Sequence, residues 1–80
     1  MNKEELAKIW CKHLRLESIE YTDDFFFLGG DSEDAANILA EVKERTGLDT
    51  PLSLIYNCSV LNEMHETILS RLSKINTRKN

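Results

Sequence analysis

The sequence has little of what builds a disulfide framework or a metal centre. Its 80 residues include two cysteines, Cys11 and Cys58, and two histidines, His13 and His65. The cysteines do not form a Cys-x-x-Cys pair, and the histidines do not complete a zinc pattern with them. We therefore expect both thiols to be reduced and partly buried, and we expect no metal site. His13 is expected to be solvated or to cap the first helix.

Long apolar runs and a surplus of positive charge are also missing. No segment approaches the length of a transmembrane helix, and the acidic start is unlike a signal peptide. The formal net charge of -4 and the lack of a basic patch before the last residues disfavour nucleic acid as a partner. These absences predict a cytoplasmic protein that binds neither membranes nor nucleic acid.

The composition is typical of one small globular domain. A hydrophobic fraction of 41% and a charged fraction of 30% exclude a disordered chain, and 80 residues leave no room for a second core. We expect a single monomeric domain over residues 1–80, with residues 76–80 as a flexible tail. Because the sequence opens on Met1 and ends soon after the last helical pattern, we expect a free-standing protein.

Apolar residues at helical spacing predict an all-α fold with three main helices and one short one. The main helices are expected over residues 3–16, 32–45 and 60–73. A single helical turn is expected within residues 48–58, and residues 16–30 have no clear period and form a long first loop. Short later connections place helices side by side, so the sequence predicts a small four-helix bundle.

The end of the long loop concentrates apolar and turn-forming residues. Phe25, Phe26 and Leu28 form a dense apolar cluster there. Phe26 and Leu28 are expected to be core anchors of the loop. The pair Gly29 and Gly30 then allows backbone conformations that other residues avoid.

Ser32 is expected in the first turn of the second helix. Asp31 is a good N-cap, and Asp34 three residues on approximates the partner of a capping box. The exposed amides and the positive dipole end of a helix N-terminus favour phosphate, so Ser32 is well placed to carry a phosphoester. It is badly placed to be an enzyme nucleophile, because that role needs an adjacent base. The alternative is that the Ser32 hydroxyl serves only in capping.

The run from Asp23 to Ser32 resembles the core motif of thiolation domains, the peptidyl carrier proteins of nonribosomal peptide synthesis. Their pattern is Asp-x-Phe-Phe-x-Leu-Gly-Gly-x-Ser, and every fixed position is met. The resemblance implies an acyl-carrier-type four-helix bundle with 4'-phosphopantetheine attached covalently to Ser32, and with Asp31 and Gly30 at the same site. It is weaker before the last helix, where Cys58 replaces the family's proline. Ser59 follows in place of the family's threonine, keeps its capping chemistry and is expected to be the N-cap.

The resemblance also implies a function and a set of partners. The arm on Ser32 would hold an aminoacyl or acyl group as a thioester for natural-product biosynthesis, including antibiotics, and the chain itself would catalyse nothing. Expected partners are a phosphopantetheinyl transferase, an adenylation or acyltransferase loading enzyme, and condensation or tailoring enzymes. Phe27 and Glu33 stand where the family commonly has a polar and an apolar residue. With Ala36, they are expected to contact partners.

Other carriers and one other class of protein remain open. A carrier for polyketide or fatty acid synthesis, or for D-alanine transfer, would differ only in its cargo, which the sequence does not identify. The double glycine and paired phenylalanines favour the peptidyl type. In the other class, an unmodified helical interaction module, Ser32 would only cap its helix.

Overall fold

The fold is built from four helices, as the sequence predicts. In the computed structural model of the protein, which describes residues 1–78, these are α1 (Lys3–Leu14), α2 (Ser32–Thr46), α3 (Ser53–Asn57) and α4 (Leu61–Arg78). No strand occurs within that range, where one antiparallel bridge joins the first loop to the start of α4. None of the described helices has the length and apolarity needed to cross a membrane. The predicted all-α class is confirmed.

α1 is two residues shorter than predicted. It begins with a capping box, in which the Glu5 amide donates to Asn2 Oδ1 at 2.8 Å and the Asn2 amide donates to the Glu5 carboxylate at 3.0 Å. It ends at Leu14 because Arg15 adopts a left-handed conformation with φ 60° and donates its amide to the Cys11 carbonyl. A left-handed arginine gives no signal in the apolar periodicity, which is why the prediction continued to residue 16.

The bounds of α2 and α3 follow the sequence signals closely. α2 ends at Thr46, one residue later than predicted, and Gly47 takes the expected left-handed conformation with φ 79°. Its amide donates to the Lys43 carbonyl at 2.7 Å. α3 is the single helical turn that was expected within residues 48–58.

α4 departs most from the prediction. It covers Leu61–Arg78 instead of residues 60–73, so residues 76–78 of the expected tail are helical. Extending an existing helix costs little, and it needs no apolar stripe. Residues 79–80 lie outside the described residues, and the flexibility of the tail stays a prediction. The prediction that Ser59 is the N-cap of this helix is wrong, because Ser59 lies two residues before Leu61 and its hydroxyl donates to the Asp24 carboxylate in the first loop.

The core combines the apolar faces of all four helices with two side chains from the connections. α1 packs against both α2 and α4. Trp10 and Phe25 are fully buried, with ring centroids 5.5 Å apart and planes at 77°, the edge-to-face arrangement that aromatic pairs prefer. Both cysteines are free and half-buried, as expected. The remaining buried hydrophobic residues are Leu6, Ile9, Ala35, Ile38, Leu39, Val42, Leu48, Leu54, Ile55, Leu61, Met64 and Ile68.

A mostly covered carboxylate ties α1 to α2. Glu41 Oε1 lies 2.8 Å from His13 Nε2 and 3.2 Å from Lys12 Nζ, and Glu41 Oε2 lies 3.0 Å from the Arg45 guanidinium. Burial alone would raise the pKa of Glu41, but the hydrogen bonds from His13, Lys12 and Arg45 outweigh it and lower that pKa. His13 therefore joins two helices instead of facing solvent, and the cluster fixes α2 relative to the bundle.

Candidate functional site

The loop before α2 is anchored by Phe25 and not by Phe26. Phe25 is fully buried, whereas Phe26 is 39% exposed and stacks on Tyr56 of α3 with ring centroids 5.2 Å apart. The prediction that Phe26 is a core anchor is therefore wrong, and Leu28 is half-buried against the core. Neighbouring side chains in a turn point in different directions, so only one of two adjacent phenylalanines reaches the centre of the bundle. The motif alone does not say which one.

The two glycines after this anchor serve different purposes. Gly29 adopts φ 95°, which L side chains rarely reach. Gly30 lies against the ring of Phe25, where an added Cβ would clash with the ring carbons. Its amide also donates to the Phe25 carbonyl at 3.0 Å. Gly30, which was predicted as a cofactor residue, therefore closes the turn onto Phe25 immediately before α2 begins.

Asp24 holds this turn in place. Its Oδ1 accepts hydrogen bonds from the amides of Phe26 at 2.9 Å and Phe27 at 3.1 Å, and its Oδ2 accepts one from the Ser59 hydroxyl at 2.5 Å. The bond from Ser59, followed by that from Phe27, lowers the pKa of the Asp24 carboxyl. An aspartate carboxylate commonly accepts hydrogen bonds from the amides of the residues that follow it, so the contacts with Phe26 and Phe27 were predictable from the sequence. The Ser59 contact, 35 residues away, was not.

Ser32 is the first residue of α2, and its side chain is exposed. The predicted capping box is present, because the Asp34 amide donates to Asp31 Oδ1 at 2.9 Å and the Asp31 amide donates to the Asp34 carboxylate at 3.3 Å. Asp31 therefore supplies the cap. The Ser32 hydroxyl makes no hydrogen bond to any other described residue. The alternative in which Ser32 acts only as a cap does not agree with this geometry.

The three predicted contact residues are all exposed and lie within five residues of this serine in the sequence. Glu33 follows it directly, and Ala36 lies one turn further along α2, on the same side of the helix as Ser32. Phe27 precedes it by five residues and is 90% exposed. Phe27 therefore does not belong to the core.

The arrangement fits a covalent phosphoester on Ser32. A primary hydroxyl that is exposed and has no internal partner can be esterified without breaking any contact of the fold. The first amides of α2 lie beside it at the positive end of the helix dipole. No base among the described side chains is hydrogen-bonded to Ser32. The described residues also contain no cluster of side chains that could hold a metal ion. The residues at this site therefore fit a phosphopantetheine arm on Ser32.

Comparisons with known sequences assign the chain to a family. A family model described as a phosphopantetheine attachment site matches residues 4–68. A linear gramicidin synthase of Brevibacillus parabrevis is 39% identical to the chain over 66 residues, which cover 82% of this chain and 1% of the synthase. The chain thus spans about one hundredth of that curated relative.

Solved structures show the same fold. A free-standing peptidyl carrier protein from an Acinetobacter baumannii secondary metabolic pathway has a TM-score of 0.83 and 22% identity, covering 88% of this chain and 90% of that one. A peptidyl carrier protein solved with the phosphopantetheine transferase Sfp and coenzyme A has a TM-score of 0.82 and 24% identity, with 88% and 94% covered.

Taken together, the fold and the family match define a small helical carrier domain. The chain belongs to the phosphopantetheine attachment site family, and its cofactor is 4'-phosphopantetheine, bound covalently. The predicted resemblance to peptidyl carrier proteins is confirmed.

Proposed function

We propose that Ser32 is the residue that carries the phosphopantetheine arm, and that the chain serves as a peptidyl carrier. The observation that carries the proposal is the exposed hydroxyl of Ser32, which no capping bond occupies. When bound, the arm supplies a terminal thiol that holds an aminoacyl or acyl group as a thioester. Asp31 and Gly30 act by positioning, since Asp31 fixes the first turn of α2 and Gly30 closes the turn on Phe25.

Attachment makes the chain a substrate and not a catalyst. The Ser32 oxygen forms a bond to phosphorus, the diphosphate of coenzyme A is cleaved, and adenosine 3',5'-bisphosphate leaves. The proton of the hydroxyl passes to a base, which we assign to the phosphopantetheinyl transferase, since no base in the described part of the carrier is hydrogen-bonded to Ser32. A peptidyl carrier protein of this fold is bound in the solved Sfp complex with coenzyme A, which supports a transferase as partner.

The charges around Ser32 favour an arm that is free to move. The helix amides attract its phosphate, but the carboxylates of Asp31, Glu33 and Asp34 in the same turn oppose that attraction. The arm is therefore attached through its ester and is not held down on the carrier surface. Such an arm presents its cargo at high effective concentration to one enzyme after another.

Glu33 and Ala36 are proposed to contact the enzymes that load and use the arm. Both side chains are exposed on the part of α2 that follows Ser32. These partners would be an adenylation or acyltransferase enzyme for loading, and condensation or tailoring enzymes for transfer. The relationship to a gramicidin synthase favours aminoacyl cargo and nonribosomal peptide synthesis over fatty acid or D-alanine transfer.

The test is modification of the purified apo protein by a broad-specificity phosphopantetheinyl transferase with coenzyme A, followed by intact-protein mass spectrometry. The wild type should gain one phosphopantetheine, and Ser32→Ala should gain none. Ser53→Ala is the matched control, because Ser53 is also an exposed serine at the first position of a helix. It should be modified like the wild type. Modification that persists in Ser32→Ala, or no modification of the wild type, would overturn the proposal.

A further inference from the structure

Phe27 is the most exposed large apolar side chain among the described residues. It is 90% exposed, and no other described large apolar residue exceeds the 55% of Tyr56. Its two chain neighbours are covered to a greater extent, since Phe26 stacks on Tyr56 and Leu28 packs against the core. The ring of Phe27 is thus an apolar surface in water, five residues before the proposed attachment site.

The backbone holds this ring outward. The amides of Phe26 and Phe27 share Asp24 Oδ1, and the Leu28 amide donates to the Asp24 carbonyl at 3.0 Å. Phe25 and Leu28, three positions apart, take the inward side of the turn. Moving Phe27 inward would break these bonds and displace Phe25. Because the backbone of the turn is already fixed, a partner that covers Phe27 has only the rotamer freedom of this one side chain to restrict.

The stretch of sequence that carries Phe27 has charge of one sign. Of the 14 acidic residues, eight lie within residues 16–42, a stretch that contains no lysine, arginine or histidine. Glu41 is neutralised by its contacts with Lys12, His13 and Arg45, which leaves seven. Lys3 lies over the Tyr21 ring, 5.7 Å from its centroid, earlier in the same loop. The seven acidic residues are Glu17, Glu20, Asp23, Asp24, Asp31, Glu33 and Asp34.

This negative charge distinguishes among the molecules that could cover the Phe27 ring. A second copy of the chain would bring an equally acidic face against the first, and an anionic membrane would be repelled in the same way. A pocket that is apolar inside and lined by lysine and arginine at its rim would be attracted. Such a pocket matches both features of this stretch, the exposed ring and the carboxylates that flank it in sequence.

Proximity to Ser32 selects the enzyme. An enzyme that acts on the thiol meets it at the far end of the arm, so it can dock on α2 through Glu33 and Ala36 without covering the turn before Ser32. A phosphopantetheinyl transferase must bring coenzyme A to the Ser32 oxygen itself, and so it must cover the turn that ends at Gly30. We propose that Phe27 is the anchor through which the transferase holds this carrier, inserted into an apolar pocket with a basic rim. This inference rests on the proposed modification of Ser32.

The two features of the surface have separable effects. Charges that act before contact mainly raise the association rate and make it salt-dependent, whereas an inserted aromatic ring mainly slows dissociation. Loss of the ring should therefore raise KM for the carrier and leave kcat nearly unchanged. Truncation of a central aromatic anchor commonly costs enough for at least a tenfold change, so we expect KM to rise about tenfold or more.

The experiment measures transferase kinetics against carrier concentration, with coenzyme A saturating and mass detection of the product. Phe27→Ser should show the rise in KM, and Phe27→Tyr should restore a value near that of the wild type. Leu69→Ser is the matched control, since Leu69 is a 44% exposed apolar side chain on α4, away from the site in sequence. Its KM should equal that of the wild type. Circular dichroism should show the same helix content in all four proteins.

The outcomes separate this inference from the proposed function. If the wild type is modified at Ser32 but Phe27→Ser has an unchanged KM, the anchor is refuted while the attachment site stands. If Phe27→Ser instead abolishes self-association seen by sedimentation, with KM unchanged, the ring covers a second copy and the anchor is again refuted. A KM that rises equally in Leu69→Ser would also refute it, because the effect would not be specific to the ring of Phe27.

Discussion

Replacing each of the three consecutive phenylalanines with alanine tests which of them holds the loop. Phe25 is fully buried and packs edge-on against Trp10 and Phe26. Its removal loses the transfer free energy of a whole ring and leaves a cavity beside Gly30, so Phe25→Ala should cost about 3–5 kcal/mol. A domain of 80 residues is stable by roughly 4–12 kcal/mol. This one substitution should therefore remove much of the free energy of unfolding.

The neighbouring substitutions should cost progressively less. Phe26 is 39% exposed, so its ring gains about three-fifths of the roughly 1.5–3 kcal/mol available to a fully buried side chain. Removing this ring leaves no closed cavity, so Phe26→Ala should cost about 1–2 kcal/mol. Phe27 is 90% exposed, and Phe27→Ala should lie within about 0.5 kcal/mol of the wild type.

Urea unfolding followed by far-ultraviolet circular dichroism measures all three values. If Phe25→Ala does not fold, Phe25→Leu keeps the test decisive, because a smaller apolar side chain should cost about 1–2 kcal/mol. The same exchange at position 26, Phe26→Leu, should cost less than that. A free-energy loss in Phe26→Ala that equals or exceeds the loss at position 25 would refute the assignment of Phe25 as the anchor.

Two further predictions concern Asp24 and Glu33. The folded pKa of Asp24 lies below the ordinary value of 3.8, so its ionised form stabilises the fold above about pH 4, and that contribution is lost as the pH falls through the folded pKa. Asp24→Asn should lower stability at neutral pH and weaken the loss of stability in acid. If urea unfolding shows that the free energy of unfolding of Asp24→Asn falls in acid as much as that of the wild type, this prediction is contradicted. Glu33→Leu should slow loading by an adenylation enzyme that loads the wild type, and should reduce the salt dependence of that step. Glu66→Leu, at an exposed position on α4, is the control, and identical kinetics for Glu33→Leu at low and high salt would remove Glu33 from recognition.

The parts of the fold that the sequence predicts well depend on local chemistry. Both ends of α2 were predicted to within one residue, because the Asp31–Asp34 capping box and the left-handed Gly47 are signals carried within a few positions. The exposure of Ser32 also follows from its place at the start of that helix. α1 ends at a left-handed Arg15, which no local pattern indicates, and its end was therefore predicted two residues too late.

The rest depends on contacts that no local pattern contains. His13 meets Glu41 across 28 positions, and Ser59 meets Asp24 across 35. The choice of Phe25 over Phe26 is likewise decided by packing against Trp10, which belongs to another helix. Each of these features becomes visible only when the helices are packed together.

The chain has one tryptophan, and its surroundings make it an optical reporter. Trp10 is fully buried, its indole nitrogen has no hydrogen-bond partner among the described residues, and its ring touches Phe25. Its fluorescence should therefore be emitted from dry surroundings, at short wavelength, and should respond to any movement of the turn that leads into Ser32. An event at the attachment site that shifts Phe25 can thus be followed in real time without a label. The protein's own absorption and emission supply the signal.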